Sequence, residues 1–177
     1  MNKRLVAASL LSMLMLSSVT VCADNSQIHP GSQITAHQTN TGDQAHQRIV
    51  AQKLAKIYQK HGFSKEEIVG AVGVAYYETK LNPSSVTMLG NETHVGLYNW
   101  SGKAAKEMIK ESPNNVPSLN TQLDYLDKTL PKHINTVHYK NSNDFAKQFL
   151  QKMGRTDVIN QDRLNQSVQQ AQNLLNK

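Results

Sequence analysis

Residues 63–79 read FSKEEIVGAVGVAYYET, and this stretch decides how the chain folds. Ser64 followed by Glu67 fits a capping box, in which each residue's side chain binds the other's backbone N–H. This start signal predicts a helix over residues 65–79.

The middle of that helix has no polar face. Residues 68–75 are all apolar or glycine, a pattern typical of a helix that packs on every side. Gly70 and Gly73 carry no Cβ and would let neighbouring helices approach closely. The sequence therefore predicts a central helix with other helices packed around it.

Periodic apolar residues predict further helices on both sides of this one. They fall at residues 45–61, ended by Gly62, and at 103–111, 119–130, 144–153 and a C-terminal segment carrying Leu164, Val168, Ala171 and Leu175. Residues 81–100 contain Pro83, Gly90 and Gly96 and show no helical period, which predicts an irregular or β-hairpin region. The expected fold class is mainly α, with one short irregular or hairpin insertion.

The N-terminus has the pattern of a secretory signal. Lys3 and Arg4 precede an apolar run over residues 5–21, and Ala23 is a small residue at the cleavage position. We interpret residues 1–23 as a signal peptide cut after Ala23. The alternatives are a membrane anchor and a lipoprotein acylated at Cys22, of which the second is disfavoured by the bulky residue before that cysteine.

A polar tract follows the signal. Residues 24–44 are rich in Asn, Gln, Ser, Thr and His and lack apolar periodicity, so we expect a flexible leader before a domain over residues 45–177. The spacing of His29, His37 and His46 fixes no common face, so neither a metal site nor a cofactor is expected. The predicted location is secreted or periplasmic, with no stable membrane insertion after signal removal.

The composition limits the chemistry further. The chain has 177 residues, a formal charge of +6 and one cysteine, which lies in the predicted signal. A basic chain favours acidic polymers as partners. Lys103, Lys106 and Lys110 form one solvated helix face without interleaved aromatic residues, so nucleic acid is not the expected partner.

Glu78 is the residue with the clearest chemical signal. It lies at the end of the apolar helix and is followed by a loop rich in glycine and asparagine, which places a carboxyl group between a buried helix and an open cleft. Partial burial should raise its pKa and suit it to donate a proton near neutrality. Alternatively, Glu78 would cap a pocket by accepting hydrogen bonds from loop amides.

Several motifs together resemble a known family. Residues 78–83 read ETKLNP and residues 96–102 read GLYNWSG, and they resemble the Glu-Ser-x-Leu-Asn-Pro and Gly-Leu-x-Gln-Trp segments of lysozyme-like muramidases and lytic transglycosylases. Residues 122–126 and 144–155 resemble two further helices of the phage tail lysozyme family. The resemblance covers about residues 48–175.

This resemblance implies a lysozyme-like helical domain, a monomer, that cleaves the β-1,4 bond between N-acetylmuramic acid and N-acetylglucosamine in peptidoglycan. Glu78 would be the general acid, and Glu92 is the candidate for a second carboxylate. Thr79 and Lys80 replace the usual Ser-Gly, and Asn99 replaces the usual Gln. Hydrolysis and formation of an anhydro product are both open.

The same segments supply candidate substrate-binding residues, which we take to be Tyr77, Asn82, Gly96, Tyr98, Asn99 and Trp100. Aromatic rings can stack on the C–H faces of sugars, and asparagine amides can hydrogen-bond acetamido groups. The competing interpretations are core packing for the aromatic residues and turn formation for the asparagines. Because the cleft residues depart from the family pattern, the alternative function is a catalytically weak peptidoglycan-binding or secretion-associated adaptor.

Overall fold

A computed structural model describes residues 41–130, 138–155 and 159–176. These residues form six α-helices and two strands, namely α1 (Thr41–Lys60), α2 (Lys65–Thr79), β1 (Val86–Leu89), β2 (Glu92–Val95), α3 (Gly102–Lys110), α4 (Leu119–Thr129), α5 (Ser142–Lys152) and α6 (Gln161–Leu175). The mainly α prediction is confirmed. The predicted signal peptide and the leader up to residue 40 lie outside the described residues.

Helix α2 has the predicted bounds and the predicted start. The Ser64 hydroxyl accepts a hydrogen bond from the Glu67 N–H, and the Glu67 carboxylate accepts one of 2.7 Å from the Ser64 N–H. Residues 69–75 are buried along the whole helix. The capping box therefore fixes where α2 begins, and burial on every side accounts for its lack of a polar face.

The two glycines of α2 lie where other helices come closest. A Cβ on Gly70 would lie 2.6 Å from the carbonyl oxygen of Ser142 in α5, and one on Gly73 would lie 2.7 Å from the Val168 side chain in α6. Both distances are shorter than atoms tolerate, so the predicted role of these glycines in close helix packing is confirmed. Helices α5 and α6 are thereby held against the central helix.

Glu67 also anchors the segment that leads into α5. Its carboxylate lies 2.7 Å from His138 Nδ1 and accepts a hydrogen bond from the Tyr139 N–H. Burial acts to raise the pKa of Glu67, but the hydrogen bonds from Ser64, His138 and Tyr139 outweigh burial and lower it.

The irregular region after α2 contains the hairpin. Strands β1 and β2 pair antiparallel, with Val86 opposite Val95 and Leu89 opposite Glu92. Before them, Lys80 and Leu81 both have left-handed backbone conformations, with φ of 58° and 61°. The chain thus turns sharply at the end of α2, next to Glu78.

Helix boundaries elsewhere differ from the prediction by short stretches. Helix α1 begins at Thr41 rather than at residue 45, and Asp43 in its first turn suits the positive end of the helix dipole. On α6 the side chain of Leu174, rather than Leu175, completes the buried face. Within the described residues, no helix combines the length and apolar character needed to cross a membrane.

Candidate active site

Glu78 lies in the last turn of α2 and faces a cleft of about 280 Å³. The cleft is lined by Tyr77, Glu78, Arg155, Ile159 and Arg163. Only 9% of the Glu78 side chain is exposed. The structure therefore places this carboxyl group between the buried helix and open space, as the sequence predicts.

Arg155 is the nearest cation to Glu78. It follows α5 after a turn at Gly154, whose φ of 77° favours glycine. Arg155 Nε lies 3.6 Å from Glu78 Oε1, which is an ion-pair distance but too long for a hydrogen bond. That buried Nε makes no hydrogen bond to any described residue. The two side chains are thus placed as an ion pair, but this nitrogen and oxygen are not hydrogen-bonded.

The pKa of Glu78 is raised, in the direction that the sequence predicts. Burial of the carboxyl group is the main cause, and the charge of Arg155 and a hydrogen bond from the Asn99 side chain oppose it. Arg163 and His94 also act to lower the pKa. Because burial prevails, Glu78 holds its proton to a higher pH than an exposed glutamate.

Asn99 is brought directly to Glu78. Its φ of 52° is in the left-handed region, which asparagine tolerates better than most residues. Its side chain hydrogen-bonds Glu78 and accepts a hydrogen bond from the Thr87 hydroxyl, and its backbone carbonyl accepts one from Arg155 Nη2. A shorter amide than glutamine therefore still reaches the acid.

Glu92, the candidate second carboxylate, does not line the cleft. It begins β2, its side chain is 51% exposed, and it lies 3.9 Å from Nε2 of buried His94. On the other side of that ring, His94 Nδ1 lies 3.5 Å from Arg155 Nη2. Among the described residues, Glu92 is therefore connected to Glu78 through His94 and Arg155.

Tyr77 belongs to the cleft, although it is largely buried. Its hydroxyl accepts a hydrogen bond of 3.2 Å from the Asn160 N–H. The guanidinium of Arg163 lies over its ring, 4.4 Å from the centroid, and donates to its backbone carbonyl. The ring thus supports Arg163 rather than presenting a free stacking face.

The prediction that Tyr98 stacks on sugar is wrong. Only 1% of Tyr98 is exposed, and its hydroxyl bonds Tyr58 and donates to the carbonyl of Ala71 in α2. Its position in the sequence beside the cleft is misleading, because the side chain points into the core.

Trp100 is also buried, with 8% of the residue exposed, and it packs edge-on against Tyr98 and Tyr125. It anchors the loop to the helices, which was the competing interpretation for this residue.

Asn82 and Gly96 have structural roles in the loops around the cleft. The Asn82 side chain accepts a hydrogen bond of 3.0 Å from the Ser84 N–H and so forms a turn. Gly96 has φ of 70°, and a Cβ there would lie 2.4 Å from Gln122 Oε1. Neither residue lines the cleft beside Glu78.

Three residues of the site with basic side chains were not predicted from the sequence, namely His94, Arg155 and Arg163. Arg155 and Arg163 lie far from Glu78 in the chain and are brought to it only when α5 and α6 pack on α2. Arg155 is the last residue of segment 144–155, which resembles the family, and this resemblance is the signal that could have identified it. No group of three metal-binding side chains occurs in the part of the chain that the structure describes.

Comparison with known proteins identifies one family. The profile described as phage tail lysozyme matches residues 50–176, which include Glu78, both arginines and every element from the hairpin onward. No curated protein and no solved structure shows significant similarity to the chain.

Proposed function

Because the chain belongs to the phage tail lysozyme family, we propose that it is an exported muramidase with Glu78 as its general acid. A lysozyme-like, peptidoglycan-cleaving activity follows from the family. The bond that we propose is the β-1,4 link between N-acetylmuramic acid and N-acetylglucosamine. The buried carboxyl group of Glu78 at the edge of the cleft is the observation that carries this proposal.

The first step requires a protonated carboxyl group. Glu78 donates its proton to the glycosidic oxygen as the bond breaks, and positive charge develops on the sugar ring. Because its pKa is raised, Glu78 keeps its proton to a higher pH than an exposed glutamate does.

Arg155 stabilises the ionised form of Glu78 that remains after proton donation. Once the proton has left, Glu78 carries a negative charge in a partly dry site. The guanidinium is 3.6 Å away and has a buried Nε with no hydrogen bond to any described residue. A small movement would let this N–H donate to the new carboxylate, and such contacts are often longer in the free enzyme than in the substrate complex.

The second step uses the same carboxylate as a base. Among the described residues no other acid lines the cleft, and Glu92 is separated from Glu78 by His94 and Arg155. Glu78 therefore takes a proton either from water or from the 6-hydroxyl of the muramic acid itself. The first route gives a reducing end, and the second gives an anhydro end.

Mass spectrometry of the fragments released from purified peptidoglycan tests this function. Fragments that end in reducing or anhydro-muramic acid support it, and they tell the two routes apart. Fragments cut only in the peptide stems, or ending in N-acetylglucosamine, would contradict the proposed bond.

One observation favours the adaptor alternative. Tyr98 and Trp100 are in the core and Tyr77 is covered by Arg163, so the sequence-predicted stacking faces are not free. A protein of this kind would bind insoluble peptidoglycan and release nothing from it.

A further inference from the structure

A second pocket adjoins the cleft of Glu78. Its volume is about 240 Å³, and it is lined by Tyr76, Lys80, Arg163, Gln166, Ser167 and Gln170. Arg163 lines both spaces, so the second pocket begins where the cleft ends. Helix α6 forms one wall, and the end of α2 forms the other. We call it the α6 pocket.

The α6 pocket carries two positive charges. The Lys80 ammonium lies 4.5 Å from the centroid of the Tyr76 ring, and the Arg163 guanidinium lies over Tyr77. Neither cation forms an ion pair with a carboxylate of the described residues. Partial burial, together with the charge of Arg163, lowers the pKa of Lys80. A bound anion would relieve this repulsion.

The backbone conformation of Lys80 is an independent indication that the α6 pocket has a function. Lys80 is the C-cap of α2 and has φ of 58°, a position that favours glycine. A side chain in the left-handed region is strained, and strain of this kind tends to be kept where a residue has a function. Here the strained residue supplies one of the two cations.

Resting on the proposed muramidase function, we propose that the α6 pocket binds the carboxylates of the peptide stem. The stem is attached to muramic acid, whose glycosidic bond lies at Glu78 during cleavage, so the stem must leave the cleft close by. Its free carboxylates suit Lys80 and Arg163. The exposed amides of Gln166 and Gln170 on α6 can hydrogen-bond the peptide backbone.

Binding of a synthetic stem pentapeptide to the full mature protein tests this inference without needing catalysis. The probe is compared with the same peptide whose carboxylates have been converted to amides, by calorimetry or NMR titration. We expect the wild type to bind the free acid about tenfold more tightly than the amide, because a charge-assisted contact is lost.

Two substitutions at Lys80 separate charge from folding. Lys80→Gln removes the cation, and Lys80→Gly removes it from a backbone position that glycine favours. Both should lose the preference for the free acid. Lys106→Gln is the control, because Lys106 is exposed on α3, a helix that makes no contact with α2 or α6.

Equal binding of the two peptides by the wild type, no detectable binding, or full preference in both Lys80 variants would overturn the proposed peptide site. The proposed function has a separate readout. Fragment release from peptidoglycan without peptide discrimination would reject the α6 pocket alone, whereas peptide discrimination without fragment release would reject the muramidase alone.

Discussion

At the scale of single residues, the acidity of Glu78 results from two opposing effects. Burial at the end of α2 favours the neutral carboxyl group, while Arg155, Asn99 and more distant cations favour the carboxylate. Burial is the larger effect. The cations limit the rise in pKa and, in the proposed mechanism, stabilise the carboxylate after proton transfer.

Arg155→Met removes the strongest of the effects that lower the pKa of Glu78. The pKa should rise further, so the protonated acid should persist to higher pH. The descending limb of the pH–rate profile should therefore move to higher pH, while the maximum rate falls because the carboxylate loses its partner. The measurement is the rate of fragment release from peptidoglycan as a function of pH.

Lys152→Met, at an exposed position near the end of α5, is the matched control and should leave the profile in place. A shift of the Arg155→Met profile to lower pH would contradict the described balance at Glu78.

At this scale the sequence predicted the position of Glu78 beside a cleft and the direction of its pKa shift, but not the residues that surround it. Glu78 was identifiable because its position after an apolar helix is a local feature of the sequence. The role of Arg155 depends on how α5 packs on α2. The wrong prediction for Tyr98 has the same origin, since its contact with Tyr58 crosses from the loop to α1.

At the scale of elements, a single side chain of α4 holds the loops around the cleft. Gln122 is fully buried, and its side-chain oxygen Oε1 accepts a hydrogen bond of 2.9 Å from the Leu97 N–H. Its amide nitrogen donates to the carbonyls of Pro83 and Pro117. Gly96 provides the space for this amide. Three loops are thereby fixed to one helix.

Gln122→Met keeps the length of the side chain but removes all three hydrogen bonds. Their buried backbone partners would be left unsatisfied, so we expect the free energy of unfolding to fall by about 3 kcal/mol. Urea unfolding monitored by circular dichroism measures this. Gln52→Met, at an exposed site in α1, is the control. A loss below about 1 kcal/mol would show that the loops do not depend on this amide.

The elements were predictable where their signals are local. The capping box gave the start of α2 correctly, and Gly62 follows α1 in a left-handed conformation as predicted. The register of the hairpin was not predictable, because exposed β1 has no buried face to fix it. The family motif around Gln122 was recognised, but its function as a tie between loops became visible only in the fold.

At the scale of the whole molecule, the site is assembled by helix packing around α2. Glu78 ends α2, Arg155 follows α5, and Arg163 lies on α6. The close approaches at Gly70 and Gly73 hold those two helices in place. The geometry of the candidate site therefore depends on the same glycine contacts that build the core.

Export is the whole-molecule prediction that concerns residues outside the described structure. Signal peptidase should cut after Ala23, so the mature chain should begin at Asp24. N-terminal sequencing of the protein recovered outside the cytoplasm measures this. A chain that begins at Met1, or one that carries lipid on Cys22, would place the domain on a membrane and contradict a freely secreted enzyme.

The most direct test of the central claim is fragment release from insoluble peptidoglycan by Glu78→Gln. This substitution removes the proton donor and preserves size, and loss of a general acid typically costs about 10² to 10⁴ in rate. We predict that the variant binds peptidoglycan as the wild type does but releases no soluble fragments above background, while Glu92→Gln remains active. Wild-type activity in Glu78→Gln, or a wild type that binds and never cleaves, would contradict the account.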